Sequence, residues 1–205
     1  MVARTRKGDR AASSLKDSAR EVFRDSGFKN ARVQDIAAGA GLSIGAYYRY
    51  YKDKHDILTT LLRELLEEAF VVSRSPWDPS DPLRSIHVTT QRYLEFYALH
   101  ADLFRVLVEV SQTDVEVEAM WATVRQEVID RISVMLKRAL PDGLVRPDID
   151  IEISAALLAA MTDHYAFLRF VINRLPAHDI EDVSLQIASI WAHGVFRNEP
   201  LAAAD

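Results

Sequence analysis

The sequence predicts an all-α protein: an N-terminal three-helix helix-turn-helix domain followed by a C-terminal helical bundle, about nine helices in all. Three observations lead there. Apolar residues recur at helical spacing along almost the whole chain, and no run shows the two-residue alternation of a strand. The stretch Val33 to Lys54, VQDIAAGAGLSIGAYYRYYKDK, reads as a short helix, a glycine turn, a second short helix and the start of a third. That is the arrangement whose second helix enters the major groove of DNA. Charge is divided: residues 1–60 carry 12 Lys and Arg against 7 Asp and Glu, and the remainder carries 13 against 23. A basic head on an acidic body lets one end of a molecule approach phosphate while the other is repelled by it.

Taken in order, residues 1–12 are small, polar and cationic (Arg4, Arg6, Lys7, Arg10) and are expected to form a flexible basic arm. Ser14 with Asp17 resembles a capping box that opens a first helix to about Ser26, with Leu15, Ala19, Val22 and Phe23 on one face and Gly27 as its stop. The next helices span roughly Val33–Ala38 and Ile44–Tyr50. Asp53 caps a fourth helix to about Val72, whose wide apolar stripe (Ile57, Leu58, Leu61, Leu62, Leu65, Leu66) predicts burial on more than one side. Three prolines in residues 73–82 break the pattern. Asp81 and Pro82 then supply an N-cap and a first-turn proline for a fifth helix to about His100. A sixth helix runs from about Asp102 to Ser111. Thr113 with Glu116 resembles another capping box, for a seventh helix to about Leu140. Pro141–Gly143 turns the chain into an eighth helix, about Asp150–Asn173. Asp179 opens a ninth, about Ile180–Phe196, and a frayed tail follows. The sequence shows no 20–50-residue repeat and no low-complexity segment.

Several classes are disfavoured. The chain has no cysteine, so disulfide and thiolate-metal chemistry do not arise. The basic N-terminus lacks the apolar run of a secretory signal, and no stretch approaches the roughly 18–20 apolar residues of a membrane span. A cytoplasmic protein with no membrane partner is expected. An enzyme is not: residues three before each histidine are Lys52, Arg84, Tyr97, Met161, Leu175 and Ile190, so no Glu-x-x-His pair exists. A Gly-rich phosphate loop, a nucleophile elbow and H-E-x-x-H are also missing. No cofactor, metal site or catalytic residue is expected.

In the head, Ser43 can cap the third helix through its hydroxyl. Ile44, Gly45, Ala46 and Tyr47 then occupy the helix start, the part of a recognition helix that faces base edges. Ile44 suits a thymine methyl, Gly45 and Ala46 permit close approach, and Arg49 suits a guanine. Tyr48 and Lys54 suit phosphate, as does Arg32 ahead of the second helix. The alternative is that Tyr47, Tyr48, Tyr50 and Tyr51 serve packing; Tyr51 is expected to close the third helix on the first.

Residues 23–58 resemble the N-terminal domain of the TetR family of bacterial regulators. The resemblance rests on Phe23, Gly27 and Phe28 at the end of the first helix, Val33–Ala37, Ala40–Ser43, Gly45–Tyr51, and Lys54–Leu58 opening the fourth helix. It covers under a fifth of the chain; the rest agrees in length and helix number. It implies a homodimer on a near-palindromic stretch of double-stranded DNA, usually a repressor released by a small molecule, with a tilt of the fourth helix changing the spacing of the recognition helices. Family phosphate contacts fall on Tyr48 and Lys54, and base-facing positions on Ile44 to Tyr47 and Arg49. Two positions depart: Ile44 where the family often has lysine, and Arg32 where it usually has a hydroxyl cap. Operator sequence therefore does not transfer.

The expected division is residues 1–53 for DNA binding and 54–198 for ligand binding and dimerisation. Dimer contacts are expected from Leu158, Tyr165, Ile172, Ile187, Ile190, Trp191 and Val195, with plain intramolecular core as the alternative. A largely apolar effector is expected among Leu62, Leu66, Tyr93, Phe96, Tyr97, Phe104, Leu107, Val108, Trp121, Arg125, Met161, His164, Tyr165 and Leu168. The rival to ligand-controlled DNA release is a helical dimer that binds a ligand or protein without it.

Overall fold

The computed structural model describes residues 6–72, 74 and 77–197, with side chains from residue 8 onward. Arg4, the side chains of Arg6 and Lys7, part of the proline-rich connection and the tail at 198–205 lie outside the described residues. The described helices are α1 (Arg6–Asn30), α2 (Val33–Gly39), α3 (Ile44–Tyr47), α4 (Lys54–Val72), α5 (Pro82–Leu99), α6 (Ala101–Ser111), α7 (Val115–Ala139), α8 (Ile151–Ala166) with a π-helical turn Phe167–Val171, and α9 (Ile180–Val195). Among the described residues, no helix is long and apolar enough to cross a membrane.

The chain packs as two compact units. The first joins residues 1–66 to 102–120, and the second holds 67–101 and 121–205. The packing unit that contains the head thus also takes in nearly all of α6 and the first turns of α7.

In the first unit, Leu15, Ala19 and Phe23 recur every fourth residue on α1 and are almost wholly enclosed. Ile36 and Ala37 of α2, Tyr47 of α3, and Ile57, Leu58 and Leu62 of α4 share that core. Burying each of the larger side chains is worth about 1.5–3 kcal/mol. Helix α1 begins earlier than its sequence suggests. Residues 6–12 continue it and Ala12 is buried, so Ser14 and Asp17 lie within the helix rather than capping it. Residues 6–12 are thus helix, not flexible arm. Gly27 interrupts α1 as expected, at φ 72 and ψ 162, a conformation essentially confined to glycine.

Helices α1 and α2 approach closely at Ser18. Its hydroxyl donates to the Ile36 carbonyl at 2.8 Å, and a Cβ added at Gly39 would collide with it. Gly39→Ala is expected to lower stability by about 1–3 kcal/mol through overpacking; an unchanged thermal midpoint would contradict this contact.

Two side-chain pairs tie α1 and α4 to the other elements of the same unit. Arg20 of α1 donates through Nε and NH2 to the two carboxylate oxygens of Asp102, both at 2.7 Å. His55 Nε2 lies 2.6 Å from Asp114 Oδ2. Asp114, not Thr113, caps α7, accepting from Val117 N at 3.0 Å. Burial pushes the Asp102 carboxyl up, but the hydrogen bond and charge of Arg20 outweigh it and hold it below the ordinary carboxylate range. A depressed folded-state value stabilises the fold above the unfolded value of about 4, and the contribution disappears as pH falls through the folded one. Arg20→Met should therefore lower stability at neutral pH and flatten its loss on acidification, read from thermal midpoints between neutrality and pH 3.

In the second unit the caps expected at Asp81 and Asp179 are in place, accepting from Arg84 N at 3.0 Å and from Glu181 N at 2.8 Å. Asp150, expected only as the approximate start of its helix, caps α8 by accepting from Ile153 N at 2.9 Å. Helix α9 lies against α5, with Ser184 Oγ 3.1 Å from His87 Nδ1. The α7–α8 connection pairs with the end of α9 through an isolated bridge, Val145 to Phe196, a backbone pairing that helical periodicity does not announce.

Candidate DNA interface

The turn between α2 and α3 is built from backbone hydrogen bonds. Leu42 N donates to the Ala37 carbonyl and Gly41 N to that of Ala38, each at 2.9 Å, the paired arrangement that closes a helix C-terminus on a left-handed residue. Gly41 is that residue, at φ 68, and a Cβ there would meet nothing within 4 Å. Glycine is thus needed for backbone conformation rather than for space. Ser43 then caps α3, its hydroxyl accepting from Ala46 N at 3.1 Å. Regular α3 is only four residues long; residues 48–50 continue as tighter turns, shorter than the helix to Tyr50 that the sequence suggests.

This single helical turn divides its side chains sharply. Ala46 and Tyr47 are buried, whereas Ile44 is 46% and Tyr48 56% exposed, and Gly45 and Arg49 are open to solvent. The Tyr47 hydroxyl donates to the Asp53 carbonyl at 2.7 Å, and burial pushes its pKa well above the ordinary phenol range, so it remains a donor. Tyr47 is therefore a core strut beneath the surface, and its expected place among base-facing residues is corrected. Tyr51 is buried as expected. Tyr48 packs edge-on against Tyr47, ring centroids 5.5 Å apart, which holds an exposed phenol on a rigid base.

Lys54 does something the motif does not report. Its Nζ donates to the carbonyls of Phe28, Lys29 and Ala31 at 2.9, 3.0 and 3.0 Å, and it sits 4.8 Å from the centre of the Phe28 ring. An ammonium has three donors, and all three satisfy carbonyls at the end of α1. This use argues against the phosphate contact expected of it.

The other cations of the first unit sort in the same way. Lys16 pairs with Glu64, Arg20 with Asp102 and Arg24 with Asp25. Arg32, Arg49, Lys29 and Lys52 are exposed and make no side-chain hydrogen bond or ion pair with the described residues. Arg32 occupies the N-cap of α2 in an extended conformation with no side-chain cap bond. Lys29 and Lys52 were not among the sequence candidates. The only signal for them is proximity to the motif, because freedom from a partner is visible only once the partners of other cations are known.

The remaining candidates fall into the two units. Leu62, Leu66, Phe104 and Leu107 are buried and Val108 half-buried in the first. In the second, Phe96 and Tyr97 are buried; Tyr93, Trp121, Met161, Tyr165 and Leu168 are half-buried; Arg125 and His164 are exposed. His164 faces solvent beside the Phe167 ring, at 6.0 Å between centroids, rather than lying in an enclosed site. Of the expected dimer contacts, Leu158, Ile187, Trp191 and Val195 are buried within the chain's own core, Tyr165 is half-buried, and only Ile172 (41%) and Ile190 (58%) are exposed. Leu157 (64%), which belongs to the apolar stripe expected on the eighth helix, is exposed, and so is Ile153 (60%) one turn before it, which that stripe did not include.

Comparison with known proteins agrees with the geometry of the head. Residues 15–61 match the family model described as bacterial regulatory proteins, tetR family. The chain is similar to the HTH-type transcriptional regulator EthR of Mycolicibacterium smegmatis, 24% identical over 208 residues, covering 96% of this chain and 91% of that one. It is also similar to the HTH-type transcriptional repressor AcnR of Corynebacterium glutamicum, 26% identical over 165 residues, covering 77% and 82%. Among solved structures, a transcriptional regulator from Rhodococcus sp. Rha1 shares the fold at a TM-score of 0.70 and 20% identity, covering 90% of this chain and 97% of that one. The capped recognition turn with its small, open outer face thus lies inside the segment, residues 15–61, that matches the TetR family of bacterial regulatory proteins.

Proposed function

We propose that the protein is a homodimeric, cytoplasmic repressor that holds a near-palindromic operator through α3 and is released by a small effector with a largely apolar body. The observation that carries the DNA contact is the outward face of Ser43, Ile44, Gly45, Tyr48 and Arg49, with Ala46 and Tyr47 buried behind it. Gly45 brings the backbone close to the duplex, Ile44 offers an apolar contact, and Arg49 is the cation placed to read a base. Tyr48, Arg32, Lys29 and Lys52 position the head on phosphate, with Lys52 in the role first assigned to Lys54.

These assignments separate in one experiment, run on a sequence selected from genomic fragments. Arg49→Ala is expected to cost about 1–3 kcal/mol on the selected site and to relax preference at one position; Lys52→Ala should weaken selected and random DNA alike and reduce the salt slope by about one. Equal losses from both substitutions on both DNAs would refute the division of roles.

Dimerisation is assigned to the exposed apolar residues of the second unit, Ile153 and Leu157 of α8 and Ile190 of α9, with Ile172 beyond the π-helical turn. Two recognition helices must meet successive half-sites about 34–36 Å apart, which requires a two-fold pair. Effector binding is assigned to the region of the second unit that holds the aromatic residues Tyr93, Tyr97 and Trp121. Release then requires that the effector bind the DNA-incompetent form more tightly.

A further inference from the structure

The second unit contains a polar cluster that DNA binding does not use. Asp163, on α8, is held from one side by Tyr93 of α5, whose hydroxyl donates to Oδ1 at 2.9 Å. From the other side Arg125 of α7 donates to Oδ2 at 2.5 Å. The guanidinium of Arg125 also lies over the Trp121 ring, 3.8 Å from its centre. Tyr97 stands beside Tyr93, ring centroids 5.8 Å apart, and is fully enclosed.

The two charges are not equivalent. The Asp163 side chain is 21% exposed and anchored to the fold, whereas the Arg125 side chain is 49% exposed. Desolvation pushes the Tyr93 hydroxyl well above the ordinary phenol range, so it remains a donor to Asp163. A half-exposed cation gains little from such a pair in water, but a largely enclosed carboxylate stripped of any cation is costly. The site therefore requires a cation, though not this one. An aromatic face beside a fixed carboxylate is the environment that stabilises an organic cation. The acidic balance of the chain beyond residue 60, 13 basic against 23 acidic residues, raises the local concentration of cations further.

We propose that Asp163, Tyr93 and Trp121 form a recognition site for an organic monocation with an apolar body, and that Arg125 occupies this site until such a ligand displaces it. The inference rests on the reading that the second unit carries the effector site, and it names the effector's charge. An anion would have to compete for Arg125 against a carboxylate already seated on it and would then face Asp163. A cation meets an anchored partner and needs only the exposed side chain to swing away.

The test is calorimetric titration of the full chain, without DNA, with decyltrimethylammonium, and with decanoate and decanol as the anionic and neutral counterparts. The cation is expected to bind at least about tenfold more tightly than either counterpart, and Asp163→Asn, which keeps an acceptor for Tyr93, to weaken it by a similar factor. Arg125→Ala should tighten cation binding severalfold, because the competing internal cation is gone. Tighter binding of decanoate, weakening of the cation by Arg125→Ala, or no binding of any of the three overturns the proposal. Because Arg125 is half-exposed, its variant tests the idea even where Asp163→Asn does not fold. The titration is independent of DNA, so a failure of operator binding in a separate assay would reach the repressor reading and leave this result standing.

Discussion

Leu157→Arg combined with Ile190→Arg is expected to convert the protein into a monomer and to reduce operator affinity by about 10²–10⁴-fold, because each head then binds its half-site without the effective concentration that its partner supplies. Both side chains are more than half exposed in the single chain, at 64% and 58%, so the substitutions should leave the fold intact. A two-fold interface brings the patch against its own copy, residue i meeting residue j and the reverse, so the two substitutions would place four cations in one apolar contact. Sedimentation equilibrium reads the oligomeric state, and circular dichroism reads the fold. Trp191→Ala makes the contrasting control. Trp191 is buried within the chain, so its truncation should destabilise by about 3–5 kcal/mol and lower the thermal midpoint before it alters association. A double variant that remains dimeric would move the interface off this face.

Lys54→Met should damage the head without touching DNA. The methionine preserves much of the side chain's apolar stem but removes three hydrogen bonds to the carbonyls that close α1. Hydrogen bonds to a charged group are worth about 1.5–3 kcal/mol, and partly exposed carbonyls recover some of that from water. A total loss of about 2–3 kcal/mol is expected, read from denaturant unfolding of the free protein. Operator affinity should fall with the folded fraction while the salt slope of the remaining binding stays unchanged. The opposite pattern, wild-type stability with a shallower salt slope, would return Lys54 to the phosphate.

What the sequence could and could not announce follows from how far each signal reaches. Ser43, Gly41, Asp53, Asp81 and Asp179 act within a few residues of themselves, and the caps and stops they predict are present. Pattern also places Leu15, Ala19 and Phe23 on the buried face of α1. The start of α1 is longer than its local cap suggests because Ala12 gains burial, and tertiary contact outweighs a capping box. In α3 the decision between surface and core turns on rotational phase. Over a single helical turn Tyr47 and Tyr48 look alike, yet Tyr47 is buried with its hydroxyl on the Asp53 carbonyl whereas Tyr48 is 56% exposed. Lys54 contacts carbonyls 23–26 residues away, a separation at which no local pattern reports. Helix α9 shows a broad apolar stripe, but its sequence does not say that Ile187 and Trp191 face inward while Ile190 is left outside.

DNA recognition through α3 is tested by the salt dependence of binding to the genomically selected site and to random DNA, made with the wild type and with a variant in which Arg32, Arg49 and Lys52 are all replaced by alanine. Counterion release gives a slope of about −0.9 per neutralised phosphate on duplex DNA. The wild type is expected to show a steep negative slope on both DNAs and a clear preference for the selected site, and the triple variant a shallower slope with that preference largely lost. Weak, salt-insensitive binding by the wild type, or a triple variant with unchanged slope and preference, would contradict the assignment of α3 and its neighbouring cations to DNA.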